Sequence, residues 1–137
     1  LIMNNFFMLL GSNIEPSINL AKGKKELNNS SNITIIKESS IKKTIAHGFD
    51  GDDFLNQVML CSTNMNFSNT LKELKEIEIR CGRKRDPNNK FTSRTLDLDI
   101  IDWANVSGEI DGYLMPDPDI NKHDFIKELY LEVKTDI

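Results

Sequence analysis

At 137 residues, 39% hydrophobic and 28% charged, the sequence has the size of one soluble domain that closes a single core and leaves no room for a second catalytic domain. A net charge of -4 excludes a general nucleic-acid or anionic-membrane surface, which needs spread positive charge, so any anionic ligand must be met locally. Cys61 and Cys81 have no second pair to build a metal knuckle and read as buried thiols of a reducing compartment. The apolar stretch at residues 6–10 is too short for a signal segment and nothing later approaches a membrane span, so the chain is expected in the cytoplasm, with neither nucleic-acid nor membrane partners.

Residues 6–10 read as a buried strand that Gly11-Ser12-Asn13 breaks. Pro16 opens a helix with a ragged apolar face, Ile18, Leu20, Ala21 and Leu27, which ends in Asn28-Asn29-Ser30. Residues 33–40 and 54–62 are β-branched or apolar runs that predict two strands, separated by a polar loop over 44–53. Asn66 or Ser68 caps a second helix, with Leu71, Leu74, Ile77 and Cys81 on one side and Gly82 at its end. Residues 83–93 have no periodicity. Leu96, Leu98 and Ile100 then alternate with Asp97, Asp99 and Asp102, interrupted only by Ile101, which predicts a strand with one wet face. A last short helix runs from 121 or 122 to 130. The order β-α-β-β-α-β predicts a single domain over 1–137: a ferredoxin-like α+β sandwich with helices on one face of a mostly antiparallel sheet.

A strand puts residues i and i+2 on one face about 7 Å apart, so Asp97 and Asp99 converge while Leu96 and Leu98 enter the core. Magnesium takes one or two protein carboxylates and completes its shell with water and phosphate oxygens, which suits such a pair. Taken alone, an Asp-x-Asp pair is more often the solvated face of an edge strand. The arginines change that balance. All of them, Arg80, Arg83, Arg85 and Arg94, lie just before this strand, while every other basic position is lysine. Lysine serves equally well as solvated charge, but only the planar guanidinium grips phosphate oxygens in bidentate fashion, so the cluster points to a phosphate clamp. Arg80 also suits the carbonyls at the end of the second helix. Glu78 reads either as a partner of an arginine or as a helix-surface acid, and Phe54 and Phe125 by themselves read as core packing.

Four motifs in order, Gly11-Ser12-Asn13, Phe54-Leu55-Asn56-Gln57-Val58, Ile77-Glu78 followed by Gly82-Arg83-Lys84-Arg85, and Arg94-Thr95-Leu96-Asp97-Leu98-Asp99-Ile100, resemble the 6-hydroxymethyl-7,8-dihydropterin pyrophosphokinase family nearly end to end. Pro116 and Phe125 add a weaker match. The resemblance implies a ferredoxin-like monomer, alone or within a longer folate enzyme, that moves the β,γ-diphosphoryl group of ATP to the pterin hydroxymethyl oxygen and releases AMP. It implies that Asp97 and Asp99 hold two magnesium ions, that Arg83 and Arg94 clamp phosphate, and that Arg85 sits in a catalytic loop closing over ATP. Phe91 stands where the family usually has a sealing tryptophan. Asn56 is then expected to pair with the lactam and amine edge of the pterin, Phe54 and Phe125 to hold its faces, and the backbone at Thr44 and Ile45 to meet the same edge. A site of metals and arginines without a histidine base fits a loose phosphoryl-transfer transition state, which needs charge neutralisation and alignment. Within that resemblance, a degenerate pterin-binding copy is the neighbouring expectation; a non-catalytic binding module with solvated aspartates is the expectation from another class.

Two positions depart from the family pattern: Asp117 stands where histidine is common and His123 where arginine is common, and both remove positive character from the nucleotide side. Gly23-Lys24-Lys25 lacks the earlier glycine and the Ser/Thr of a phosphate-binding loop. His47 and His123 have no zinc-ligand spacing and read as ordinary loop residues.

Overall fold

The computed structural model describes residues 2–46, 51–83, 88 and 94–134. Its elements run β1 (Asn4–Ser12), α1 (Pro16–Asn29), β2 (Ile33–Glu38), β3 (Lys42–Thr44), β4 (Phe54–Thr63), α2 (Phe67–Arg80), β5 (Asp97–Trp103), β6 (Gly108–Ile110), β7 (Tyr113–Met115), α3 (Asp119–Lys122) and α4 (Asp124–Lys134). The chain is α+β. Strands β2, β4, β1 and β5 lie side by side in that order, β3 also pairs with β4, and every pairing is antiparallel. Among the described residues no helix is long and apolar enough to cross a membrane.

Pro16 sits in the first turn of α1, where its missing N–H costs nothing. The apolar face of α1 is ragged because Gly23 takes a contact position between Leu20 and Leu27. A Cβ there would lie 2.8 Å from Leu96 Cδ2, so the helix approaches the segment entering β5 only because that residue is glycine. Asn66 caps α2 by accepting the Asn69 N–H at 2.8 Å, and Phe67, Thr70, Leu74 and Ile77 form its buried stripe. Gly82, at φ 87°, ends the helix, and the Arg83 N–H returns to the Glu78 carbonyl at 2.9 Å.

The sheet is covered on both faces, not one. Phe6, Met8, Leu10 and Leu98 pack with Leu20 and Leu27 of α1 and Leu74 and Ile77 of α2. On the other side Phe7, Val58, Leu60 and Ile101 pack with Ile126, Leu129, Tyr130 and Val133 of α4. The unbroken apolar run in β1 is the physical reason: consecutive residues point to opposite faces, so a strand without polar alternation needs cover on both.

The same cover corrects the expectation of a wet face along all of β5. Phe7 pairs with Asp102 but Met8 with Ile100, so Ile101 is the extra residue of a β-bulge. That bulge is what interrupts the alternation in the sequence. It leaves Asp102 facing α4, only 8% exposed, with its Oδ2 accepting the Tyr130 hydroxyl at 2.6 Å.

Four short elements were not expected. Strand β3 pairs Lys42 with Asn56 and Thr44 with Phe54 inside what reads as loop. Strands β6 and β7 form a hairpin whose two-residue turn, Asp111 at φ 49° and Gly112 at φ 85°, is the Asp-Gly type that matches strand twist. α3 precedes α4, which begins two or three residues later than expected and runs to Lys134.

Candidate active site

Sheet register builds the site. Lys42, Asn56, Gly11 and Asp97 lie on one rung across β3, β4, β1 and β5, and Asp99 pairs with Leu9 on β1. Because strand side chains alternate, Asn56, Gly11, Asp97 and Asp99 share the face that α4 covers. Beyond the first turn of α4 a cavity of about 340 Å³ opens, walled by Thr44, Ile45, Phe54 and Asn56 on one side and by Arg94, Asp97 and Asp99 on the other. His123, Phe125 and Ile126 close it from above, and Gly11 is its floor. A Cβ at Gly11 would point between Asn56 Oδ1 at 3.6 Å and Phe54 Cδ1 at 3.8 Å, so the missing side chain clashes with nothing and keeps the floor open.

Asn56 is 5% exposed, and its Nδ2 donates to the Lys42 carbonyl at 3.1 Å and to Thr44 Oγ1 at 2.9 Å. Both amide hydrogens thus hold β3 against β4, which leaves the carbonyl Oδ1 as the atom that can serve a ligand's N–H. This narrows the expected contact with a lactam and amine edge to its donor half.

The Gly11-Ser12-Asn13 motif anchors Arg94. The Arg94 N–H donates to Asn13 Oδ1 at 2.6 Å, and the Arg94 carbonyl accepts the N–H groups of Asn13 at 3.0 Å and Ile14 at 3.3 Å. Asn13 Nδ2 also donates to the Asp52 carbonyl at 3.2 Å, tying the far end of the loop before β4 to the same point. So held, Arg94 places its guanidinium 5.9 Å from the Phe54 ring centroid and its Nη1 3.3 Å from Asp97 Oδ2.

The carboxylate pair is electrostatically loaded. The protein packed around Asp99, and then the Asp97 charge beside it, push its carboxyl up to about 7, against the pull of Lys75, whose Nζ lies 3.8 Å from Asp99 Oδ1. The Asp99 side chain nonetheless remains 46% exposed, open toward the cavity. Two carboxylates that resist ionising together are a receptive donor set for a divalent cation, which neutralises both. Among the described residues no cluster of three or more metal-ligating side chains is found, and a pair of carboxylates is a number that magnesium accepts when phosphate and water supply the rest. A second cavity of about 350 Å³, walled by Lys75, Tyr113 and Asp117, meets the first at Asp99. Asp117 there accepts the Asp119 N–H at 2.9 Å, while burial raises its pKa.

The structure thus gathers Thr44, Ile45, Phe54, Asn56, Arg94, Asp97, Asp99 and Phe125 around one cavity. Arg83 does not line it; its N–H closes the end of α2, and its Nε and Nη1 are shielded from solvent. Arg85, Phe91 and His47 lie outside the described residues. Glu78 is no surface acid. It is 1% exposed and accepts the Leu98 N–H at 2.7 Å, fixing the backbone between the two aspartates, and it receives Lys75 Nζ at 3.3 Å. His123 is no bland loop residue either: its ring stands 5.9 Å from that of Phe125 at the cavity mouth. Histidine spacing carries no signal for that position, but the resemblance does, because it sets His123 where the family commonly has an arginine.

Residues 7–135 match the model of the 7,8-dihydro-6-hydroxymethylpterin-pyrophosphokinase family. The chain is 29% identical over 133 residues to the 2-amino-4-hydroxy-6-hydroxymethyldihydropteridine pyrophosphokinase of Haemophilus influenzae, covering 96% of this chain and 82% of that protein. It is 27% identical over 137 residues to the protein of the same name from Aquifex aeolicus, covering 98% and 83%. With nearly all of its length matched, and residues of three of its four motifs lining one cavity, the chain belongs to the 7,8-dihydro-6-hydroxymethylpterin-pyrophosphokinase family.

Proposed function

We propose that this chain transfers the β,γ-diphosphoryl group of ATP to the hydroxymethyl oxygen of 6-hydroxymethyl-7,8-dihydropterin, releasing AMP, a step of folate biosynthesis. The observation that carries this reading is a single face of the sheet that joins an aromatic and amide cavity to a pair of carboxylates through the open floor at Gly11. The strand order, with two helices on one face, supports a ferredoxin-like core to which α4 is added.

In this reading the pterin lies between Phe54 and Phe125, and Asn56 Oδ1 accepts an N–H of its amine edge. Thr44 and Ile45 border the same edge. Asp97 and Asp99 would hold magnesium, two ions in the full complex, which neutralises phosphate charge and lowers the cost of bringing the hydroxyl oxygen to the β-phosphorus. The hydroxymethyl oxygen bonds to that phosphorus, the bond to the bridging oxygen of the α-phosphate breaks, AMP leaves, and the hydroxyl proton passes to a carboxylate or water. Arg94, braced by Asn13 and Asp97, meets phosphate oxygens together with Arg83, and the resemblance gives closure over ATP to Arg85 and Phe91. Asp117 and Asp119 on the second cavity repel a polyphosphate, so a high KM for ATP is expected. The enzyme acts as a cytoplasmic monomer, alone or within a longer folate enzyme.

The test is chromatographic detection of AMP and diphosphorylated pterin after incubation with both substrates and magnesium. Equal amounts of the two products are expected, and no AMP at millimolar ATP would overturn the proposal.

A further inference from the structure

Asp102 is a buried carboxylate on the strand that carries Asp97 and Asp99, and the reaction above makes no use of it. Burying such a group is costly unless it is fully engaged. Here the engagement is specific: Tyr130 OH donates to Asp102 Oδ2 at 2.6 Å, and Lys134 Nζ donates to the same Tyr130 oxygen at 2.6 Å. Burial and the Asp102 carboxylate hold the Tyr130 hydroxyl protonated well above its ordinary range, so the donor persists at any physiological pH.

The bulge at Ile101 makes this contact possible. Without the extra residue Asp102 would point to the α1 and α2 face, away from α4. On α4, Tyr130 lies one turn after Ile126 on the same stripe, and Ile126 with Phe125 lines the cavity. The far flank of α4 is tied elsewhere: Glu132 accepts the N–H and the hydroxyl of Ser40, each at 2.8 Å, and Glu128 pairs with Lys42. Contacts at Ser40 and Lys42 secure the helix toward β3; only the Tyr130 hydroxyl ties it by a side-chain hydrogen bond to β5 among the contacts described.

We propose that Asp102 and Tyr130 are positioning residues, which fix the roll of α4 so that Phe125 and Ile126 stand at a set distance from the Asp97 and Asp99 wall. The proposal rests on the function proposed above, because it assigns the aromatic wall to the pterin. Tyr130→Phe removes one oxygen and keeps the ring that packs edge-on against Phe7 at 4.9 Å. Steady-state AMP release with each substrate varied in turn should show the dihydropterin KM raised about five- to tenfold, with the KM for ATP and kcat changed less than twofold. Asp102→Asn keeps an acceptor and should stay near the parent, whereas Asp102→Ala should behave as Tyr130→Phe does.

A lowered Tm with an unchanged dihydropterin KM, or equal rises in both KM values, would overturn the positioning role and leave a structural one. If the parent chain releases no AMP, the proposed function falls separately. The same variants are then compared by amide hydrogen exchange at Ile126 and Lys127, whose N–H groups bond to the His123 carbonyl. Severalfold faster exchange in Tyr130→Phe and parent-like exchange in Asp102→Asn support the positioning; identical rates in all three overturn it.

Discussion

Replacing Asp97 by alanine separates a metal platform from a solvated strand face. Two effects on stability oppose each other. The substitution removes the 3.3 Å contact with Arg94, a partly shielded pair worth about 0.5–1 kcal/mol. It also removes the like charge that helps to push Asp99 up, which returns some of that stability. The net change is expected within about 1 kcal/mol, or roughly 4 °C in Tm for a chain of this size. Activity depends on the same carboxylate differently. Losing one of two anchors for the charge-neutralising cation costs on the order of a hundred- to a thousandfold in kcat, the range seen when a single electrostatic stabiliser of a transition state is deleted. AMP release at saturating substrates and a thermal melt of the magnesium-free protein measure the two quantities. A variant that keeps more than about a tenth of the activity, or that melts far below the parent, would refute the metal role and make Asp97 a structural residue.

The raised pKa of Asp99 sets a pH dependence whose sign is opposite to the usual carboxylate case. Between the ordinary carboxylate range and about 7 the folded chain keeps a proton that the unfolded chain has lost, so magnesium-free stability should fall as pH rises through that window. Melts at pH 5, 6 and 7.5 should show the fall, and added magnesium should reverse it at pH 7.5 far more than at pH 5; a rise with pH would contradict the burial and charge around Asp99. Gly11→Ala should leave the melt unchanged or raise it by about 0.5 kcal/mol, since extended glycine is disfavoured and the new Cβ meets only ordinary contacts. The same methyl group occupies the cavity floor, so the dihydropterin KM should rise tenfold or more while the KM for ATP holds, and an unchanged dihydropterin KM would place the ring elsewhere. Glu78→Ala strips the buried Leu98 N–H of its acceptor and should cost about 1–3 kcal/mol by denaturant titration; a loss under a few tenths would show that β5 does not need that anchor.

The long, patterned segments of this fold were legible in its sequence. Alternation placed β5 and its carboxylates, a cap at Asn66 or Ser68 and the Gly82 stop bounded α2 closely, and Pro16 opened α1 where the structure has it. Strand β3 and the β6–β7 hairpin were missed because three-residue elements carry no period, although Asp111-Gly112 was a readable turn signal. The layer formed by α4 was also readable in principle. Ile126, Leu129, Tyr130 and Val133 follow the helical spacing, and the continuous apolar run of β1 demands cover on both faces.

The site divided along the same line. Residues that the resemblance carried, such as Asp97, Asn56 and Phe125, gather around one cavity together with His123, which it set at an arginine position, while Arg83, carried by the same resemblance, does not line it. The buried state of Glu78 was invisible for another reason: an acid on a helix looks exposed until the backbone N–H that it accepts is seen.

A crystal structure with magnesium, a non-hydrolysable ATP analogue and the dihydropterin tests the central claim most directly. Metal density bridging Asp97 and Asp99 to the phosphates is expected, with the pterin ring between Phe54 and Phe125 and its amine edge at Asn56 Oδ1. Metal held away from those two carboxylates, or a ring bound outside this cavity, would contradict it.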